Sequence, residues 1–175
     1  MRRSVIAALC LATAMSTGVT LTAQDADQLV FAPAATSKFV NMPGLPVCMT
    51  IAVQRGDPTA GPAILLLKLK AGCKVPWHWH TAGEQVMVVS GLGKAEMKGN
   101  AKPAMVKAGD FIYMPSKHIH QLTALTALTI FDAPDGAFDI HYVDASGNEI
   151  PPDQALPKAP VKAAPAKTAK PPAAH

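Results

Sequence analysis

The chain has 175 residues, a length typical of a single domain, and a formal net charge of +4. Of its 16 Lys and Arg residues, six lie before residue 24 or after residue 157, whereas all 12 Asp and Glu residues lie between these positions. The central region therefore holds ten basic against 12 acidic residues. It lacks the basic cluster of a nucleic-acid-binding domain, so composition excludes nucleic acid as a partner.

The first 23 residues have the organisation of a secretory signal peptide. Two arginines precede an apolar run from Val5 to Met15, and small and polar residues follow as far as Ala23. The run is shorter than the roughly 20 apolar residues that a membrane-spanning helix needs. We therefore predict cleavage after residue 23, a periplasmic or secreted protein, and no stable membrane span.

The middle of the chain reads as a series of short strands separated by Gly and Pro. Residues 24–44 form a polar lead-in, and the strand pattern occupies residues 45–145. Short strands with regular turn signals favour a sandwich or barrel, and their close spacing favours antiparallel pairing because parallel strands need long crossovers. The predicted strands cover residues 48–54, 63–70, 85–89, 95–98, 111–114, 118–121, 128–131 and 138–143.

The composition changes again after the last predicted strand. Residues 151–175 are dominated by Pro, Ala and Lys, with no aromatic residue. Such a segment buries too little apolar surface to offset the entropy lost on ordering. We predict that it is a disordered C-terminal tail.

Cys48 and Cys73 are the cysteines that remain after the predicted signal peptide is removed. In an exported protein they can form a disulfide, which would stabilise the fold by roughly 3 kcal/mol. Each also lies on or beside a predicted strand, where a buried free thiol is equally reasonable. The sequence favours neither state.

The segment from residue 72 to residue 84 carries the strongest chemical signal. His78 and His80 are separated by one residue, so on extended backbone both imidazoles lie on the same face, roughly 6.7 Å apart along the strand. Glu84 follows after a glycine, and a fourth candidate lies far away in the sequence, in the segment 115–120, which contains His118 and His120. Ligands drawn from distant strands favour a rigid metal site with open coordination positions over a closed structural zinc site.

These residues resemble the two sequence motifs of the cupin superfamily of small β-barrels. The first motif, G-x5-H-x-H-x3,4-E-x6-G, is matched at every fixed position, and the second, G-x5-P-x-G-x2-H-x3-N, is matched at three. Lys117 replaces the internal Gly of the second motif and must avoid a left-handed conformation or bear its cost. Ala124 replaces the final Asn. The matched residues are Gly72, His78, His80, Glu84, Gly91, Gly109, Pro115 and His120.

The resemblance implies an all-β fold, a single double-stranded β-helix or jelly-roll barrel over residues 45–145. It also implies that His78, His80, Glu84 and His120 bind one divalent transition metal. Three imidazoles and one carboxylate leave about two open positions on an octahedral ion, which suits Fe, Mn, Ni or Cu and, less typically, Zn. His118 lies two residues from His120 and is the alternative ligand.

Other side chains near the motifs have simpler interpretations. Trp77 and Trp79 alternate with the candidate histidines, so we expect them to point the other way and to pack outside the pocket or against a second subunit. His141 is expected to be an ordinary core or surface histidine. Beyond the candidate ligands, no residue stands out as a general acid or base, and the catalytic residues stay unassigned.

Two functions fit these features. An open metal site favours a metal-dependent enzyme acting on a small molecule, of the dioxygenase, decarboxylase or isomerase type. The alternative is a non-catalytic module that binds or senses a small molecule or a metal. We also predict a homodimer, because related barrels often pair and because an apolar edge strand at residues 63–69 would be a liability if left unpaired.

Overall fold

The computed structural model describes residues 29–157. The predicted signal peptide and residues 158–175 of the predicted tail lie outside the described residues. Within residues 29–157, no helix has the length and apolar character needed to cross a membrane. The elements of this range are β1 (Met49–Gly56), β2 (Ala63–Leu69), β3 (Lys74–Trp79), β4 (Glu84–Ser90), β5 (Leu92–Met97), β6 (Ala104–Lys107), β7 (Phe111–Met114), β8 (His120–Ala124), β9 (Leu128–Pro134), β10 (His141–Tyr142) and α1 (Pro152–Ala155).

The strands form two five-stranded antiparallel sheets. One sheet has the order β1-β2-β9-β4-β7, and the other has the order β10-β3-β8-β5-β6. The apolar core lies between them, because alternate residues of each strand point inward; in β9, for example, Leu128 and Ile130 are buried whereas Thr129 and Phe131 are partly exposed. The predicted all-β jelly-roll barrel is confirmed.

The prediction that residues 63–69 form an edge strand is wrong. Strand β2 lies inside its sheet and is hydrogen-bonded to β1 on one side and to β9 on the other. Five of its seven residues are buried, which is the pattern of an internal strand covered on both faces. The edges of this sheet are β1 and β7 instead.

The segments that flank the strands also contact the barrel. The hydroxyl of Tyr142 donates a hydrogen bond of 2.9 Å to the carbonyl of Gly44, which ties the lead-in to β10. At the other end, Pro152 occupies the first turn of α1, a position that proline favours because its backbone angle is already helical. The structure thus differs from the predicted disorder over the first residues of the tail.

Cys48 and Cys73 form a disulfide, with a distance of 5.6 Å between their Cα atoms. This decides between the two states that the sequence left open. The bond joins the start of β1 to the turn before β3, where the amide of Lys70 also donates to the carbonyl of Cys48. It therefore anchors the beginning of the strand that carries the first histidine motif.

Candidate metal centre

The four candidate ligands converge at one end of the barrel. His78 in β3 lies directly opposite His120 in β8, His80 follows β3, and Glu84 begins β4. Ring nitrogens of the three histidines lie within 4.8 Å of one another. The Glu84 carboxylate is 3.7 Å from Nε2 of His80 and 3.3 Å from Nε2 of His120. All four residues are buried, with exposures between 4% and 8%.

A bulge in β3 turns the histidines inward. The pairing of β3 with β8 shifts between Val75 and His78, so that one extra residue lies on the β3 side. Pro76 occupies this interval, as expected for a residue that cannot donate to the ladder. Because of the bulge, Val75 and His78 are both buried although they are three residues apart. The bulge therefore lets Val75 pack in the core while His78 also points into the barrel.

Each histidine ring is oriented by a backbone carbonyl. Nδ1 of His78 lies 2.6 Å from the carbonyl of Pro76, and Nδ1 of His120 lies 2.8 Å from that of His118. Nδ1 of His80 contacts the carbonyl of Asp139. Since a carbonyl oxygen can only accept a hydrogen bond, each Nδ1 carries the proton and each Nε2 keeps a free lone pair. This is the arrangement by which metal-binding histidines are usually held.

The electrostatics of the cluster fit a cation. Burial lowers the pKa of His78 well below its usual value, and repulsion from His120 and His80 lowers it further, so this imidazole is neutral at pH 7. Burial alone would raise the pKa of Glu84, but the contact with His120 and electrostatic attraction to the three histidine rings lower it to about 2. The ionised carboxylate of Glu84 thus lies among the three histidine rings, where a divalent ion would supply positive charge.

Two buried atoms of the cluster have no hydrogen-bond partner among residues 29–157, namely Nε2 of His80 and Oε2 of Glu84. Unpaired polar atoms in a protein interior are costly. Coordination of one ion by both atoms would remove this cost. The residues present therefore fit a divalent transition metal.

The turn between β7 and β8 explains why His118 does not join the cluster. Lys117 has φ = 61°, the one positive φ of a non-glycine residue among residues 29–157. It bears a cost of about 1–2 kcal/mol for this conformation. Hydrogen bonds hold the turn against the first motif: Lys117 N–H donates to the carbonyl of His80 at 2.8 Å, and the Ser116 hydroxyl donates to that of Thr81 at 2.6 Å. The chain reverses here, so His118 and His120 do not lie on one extended face.

Sequence reasoning missed Asp132. It lies on the inward face of β9, is 1% exposed and lines the same cavity as the cluster. Burial raises its pKa well above the usual value, and the nearby charge of Glu84 raises it further. The available signal was its position in the period-two pattern of a strand whose other inward residues, Leu128 and Ile130, are apolar.

His141 and Trp79 lie outside the barrel, next to the loop that covers His80. The two rings stack with centroids 3.9 Å apart. Nε2 of His141 lies 3.3 Å from Asp139 and its Nδ1 lies 2.7 Å from Glu149. Burial lowers the pKa of His141, but these two carboxylates outweigh it and raise the pKa above its usual value. The Asp139 side chain also accepts a hydrogen bond from the amide of Thr81 at 2.8 Å. These contacts hold Asp139 in place, and its backbone carbonyl orients His80.

The cavity beneath the cluster is small and mostly apolar. Its volume is about 50 Å³, which holds only a few water-sized molecules. Apolar side chains from both sheets form most of its wall, and Gln121 is a further polar residue in it. None of the described residues that line it is Lys or Arg.

Residues 65–132 match the family described as a cupin domain. A cupin from Ralstonia eutropha, described as RmlC-like, has a similar structure with a TM-score of 0.54 at 22% identity, covering 67% of this chain and 74% of its own. The matched segment of residues 65–132 contains all four candidate ligands. A second RmlC-like cupin, from Shewanella frigidimarina, has a TM-score of 0.51 at 16% identity and covers 62% of this chain and 90% of its own.

The barrel is also similar in structure to the polyketide cyclase RemF from Streptomyces resistomycificus. The TM-score is 0.56 at 15% identity, covering 67% of this chain and 87% of RemF. At such identities the similarity concerns the fold. No curated protein has significant sequence similarity to this chain.

Proposed function

We propose that this protein is an exported, metal-dependent cupin that acts on a small molecule. The orientation of the three histidines carries the proposal: each Nδ1 is engaged by a backbone carbonyl, and each Nε2 is left free in a buried cluster. His78, His80, Glu84 and His120 would hold one divalent ion. When bound, the ion would supply a Lewis acid with open positions for a small molecule.

The reaction we propose is of the dioxygenase, decarboxylase or isomerase type. The protein side chains around the centre position the ion and exclude water, because most of the cavity wall is apolar. With a volume of about 50 Å³, the cavity admits only a very small group. The reacting end of the substrate would therefore approach the cluster while the rest of the molecule stays nearer the mouth of the barrel.

Export is supported by the disulfide between Cys48 and Cys73, since such bonds persist in oxidising compartments and are rare in the cytosol. Together with the signal-like N-terminus, the disulfide supports our proposal that the protein is periplasmic or secreted. The metal is then selected by supply as well as by affinity, so we propose Fe, Mn, Ni, Cu or Zn without choosing between them.

One experiment tests the site, the compartment and the chemistry. The protein is purified from the exported fraction of its own host, and its metal content is measured by mass spectrometry. We expect about one equivalent of a divalent transition metal, and consumption of O₂ or conversion of a metabolite in a broad screen. Absence of metal would contradict the proposal. Thermal stabilisation by metabolites without turnover would instead identify a non-catalytic binding or sensing module.

We also propose a homodimer, now through β7. Phe111 and Tyr113 point outward from this edge strand and are 59% and 53% exposed, and Met87 lies directly opposite Phe111 on β4. An exposed edge strand with apolar side chains is a natural pairing surface. Light scattering at micromolar concentration should give the mass of two chains, and Phe111→Lys should give that of one. A monomeric mass for the wild-type protein would reject the dimer.

A further inference from the structure

The polar side chains that line the cavity present hydrogen-bond acceptors to its interior. Five buried side-chain atoms among residues 29–157 have no hydrogen-bond partner, and all five are acceptors: Nε2 of His80, Oε2 of Glu84, Oε1 of Gln121 and both carboxyl oxygens of Asp132. These four residues all line the cavity below the histidine cluster. An unpaired polar atom in a protein interior is costly unless a bound molecule or ion supplies its partner.

The donors of the same side chains are engaged elsewhere. Nδ1 of each cluster histidine faces a backbone carbonyl. The side-chain amide of Gln121 donates to Oε2 of Glu96 at 2.7 Å, and Glu96 is not among the described residues of the cavity wall. None of the described residues of this wall is Lys, Arg, Ser, Thr or Tyr. A molecule that binds in the cavity must therefore bring its own hydrogen-bond donor.

Asp132 is the acidic group that a bound metal would leave without a partner. An ion held by the four candidate ligands would occupy the free atoms of His80 and Glu84, but Asp132 is not one of those ligands. Asp132 is 1% exposed, and its register partners on the neighbouring strands, Leu65 and Val86, are buried and apolar. In either protonation state, its carboxyl group keeps an oxygen that can accept a hydrogen bond.

The rest of the wall restricts what else the bound molecule can carry. Apolar side chains from both sheets form most of the wall, and the cavity volume is about 50 Å³, so only a small group fits. A carboxylate or phosphate group placed away from the ion would meet the acidic side chains of Glu84 and Asp132 and no cationic side chain among the described wall residues. The cavity therefore favours a small apolar group that bears an O–H or N–H.

We propose that the substrate of this centre bears a hydroxyl or amino group on the small apolar part that enters the cavity, and that this group donates a hydrogen bond to Asp132. This inference rests on the proposed function, since it concerns what binds beside the ion. Asp132 is then a specificity-determining residue. It selects alcohols or amines over ketones and carboxylates of the same size.

Probes of similar size test this selection: 2-propanol, 2-aminopropane, acetone and acetate. Their binding to the metal-free and the Zn(II)-loaded protein is measured by NMR titration of the methyl signals of Val86 and Ile130, which line the cavity. In both forms, we expect 2-propanol or 2-aminopropane to bind at least about fivefold more tightly than acetone, the effect of one hydrogen bond. In the metal-free protein, acetate should bind more weakly than either donor. Tighter binding of 2-propanol indicates an alcohol as substrate, and tighter binding of 2-aminopropane indicates an amine.

Two substitutions assign the preference to Asp132. Asp132→Leu removes both acceptors at similar size, so the ratio of donor affinity to acetone affinity should fall to about one. Asp132→Asn keeps one carbonyl oxygen and adds an N–H donor, so this variant should bind acetone more tightly than the wild type does. The matched control is Leu65→Ile, since Leu65 is buried beside Asp132 but is not among the described residues of the wall. It should keep the wild-type preference.

Urea unfolding of each metal-free variant verifies that it folds, and Asp132→Asn carries the test if Asp132→Leu does not. Equal binding of the donors and acetone by the wild type, or a preference that survives Asp132→Leu, would overturn the inference. Binding of no probe would leave water as the partner of Asp132 and would also overturn it. Absence of Zn(II) binding would contradict the proposed function instead, whereas the titrations of the metal-free protein would still decide what Asp132 binds.

Discussion

Substitution of His120 by alanine is expected to weaken binding of a divalent transition metal by at least about 100-fold. Loss of a group behind a ligand already costs roughly 10–100-fold, and loss of the ligand itself should cost no less. His120 lies opposite His78, with ring centroids 4.2 Å apart, so its removal leaves two imidazoles and one carboxylate. The measurement is Co(II) or Zn(II) affinity by chelator competition, with metal content after purification as a second readout.

The matched control is His118→Ala. This residue is separated from His120 by one position and is half-buried, but the turn at Lys117 directs the chain away from an extended path. His118→Ala should therefore keep wild-type metal affinity. Unchanged metal content in His120→Ala together with metal loss in His118→Ala would reverse the assignment. Circular dichroism of both metal-free variants establishes that any loss is not a loss of folding.

Removal of the disulfide is expected to lower the free energy of unfolding by about 3 kcal/mol, because the bond limits the conformations of the unfolded chain over the enclosed loop. The two cysteines are 25 residues apart. The variant is Cys48→Ala combined with Cys73→Ala, and the measurement is urea unfolding monitored by the fluorescence of Trp77 and Trp79. The midpoint should fall, and the slope should change little if the unfolded chains are similarly expanded.

Wild-type protein in a reducing agent is the control for this change. Cys73 is 2% exposed, so alanine at this position also creates a small cavity that adds to the loss. Reduced wild-type protein lacks the bond but keeps the side chains, and it should unfold at an intermediate or similar urea concentration. Equal midpoints for oxidised and reduced wild-type protein would show that the bond contributes no stability.

Local spacing explains why part of the site could be predicted from the sequence. His78 and His80 alternate on extended backbone, and period-two geometry alone places both on one face. The pairing of β3 with β8 could not be predicted from the sequence, because it includes a bulge at Pro76 whose register depends on the partner strand. The place of His120 among the candidates thus came from the cupin resemblance, and its position opposite His78 came from the fold.

The errors have a common physical origin. An apolar run such as residues 63–69 is compatible with an edge or an internal strand, and only the neighbours of β2 decide between them. Asp132 lies one residue beyond the predicted strand of residues 128–131, and its burial depends on the packing of the opposite sheet.

The sequence by itself determined the all-β class, the spacing of the first histidine motif and the near-neutral charge of the central region. These follow from composition and from the two-residue period of a strand, which are local properties. The tertiary structure decided the disulfide, the choice of His120 over His118 within the cluster, and the burial of Asp132 in the cavity that the cluster lines. Those depend on which strands become neighbours, and strand pairing is set by packing of the whole barrel.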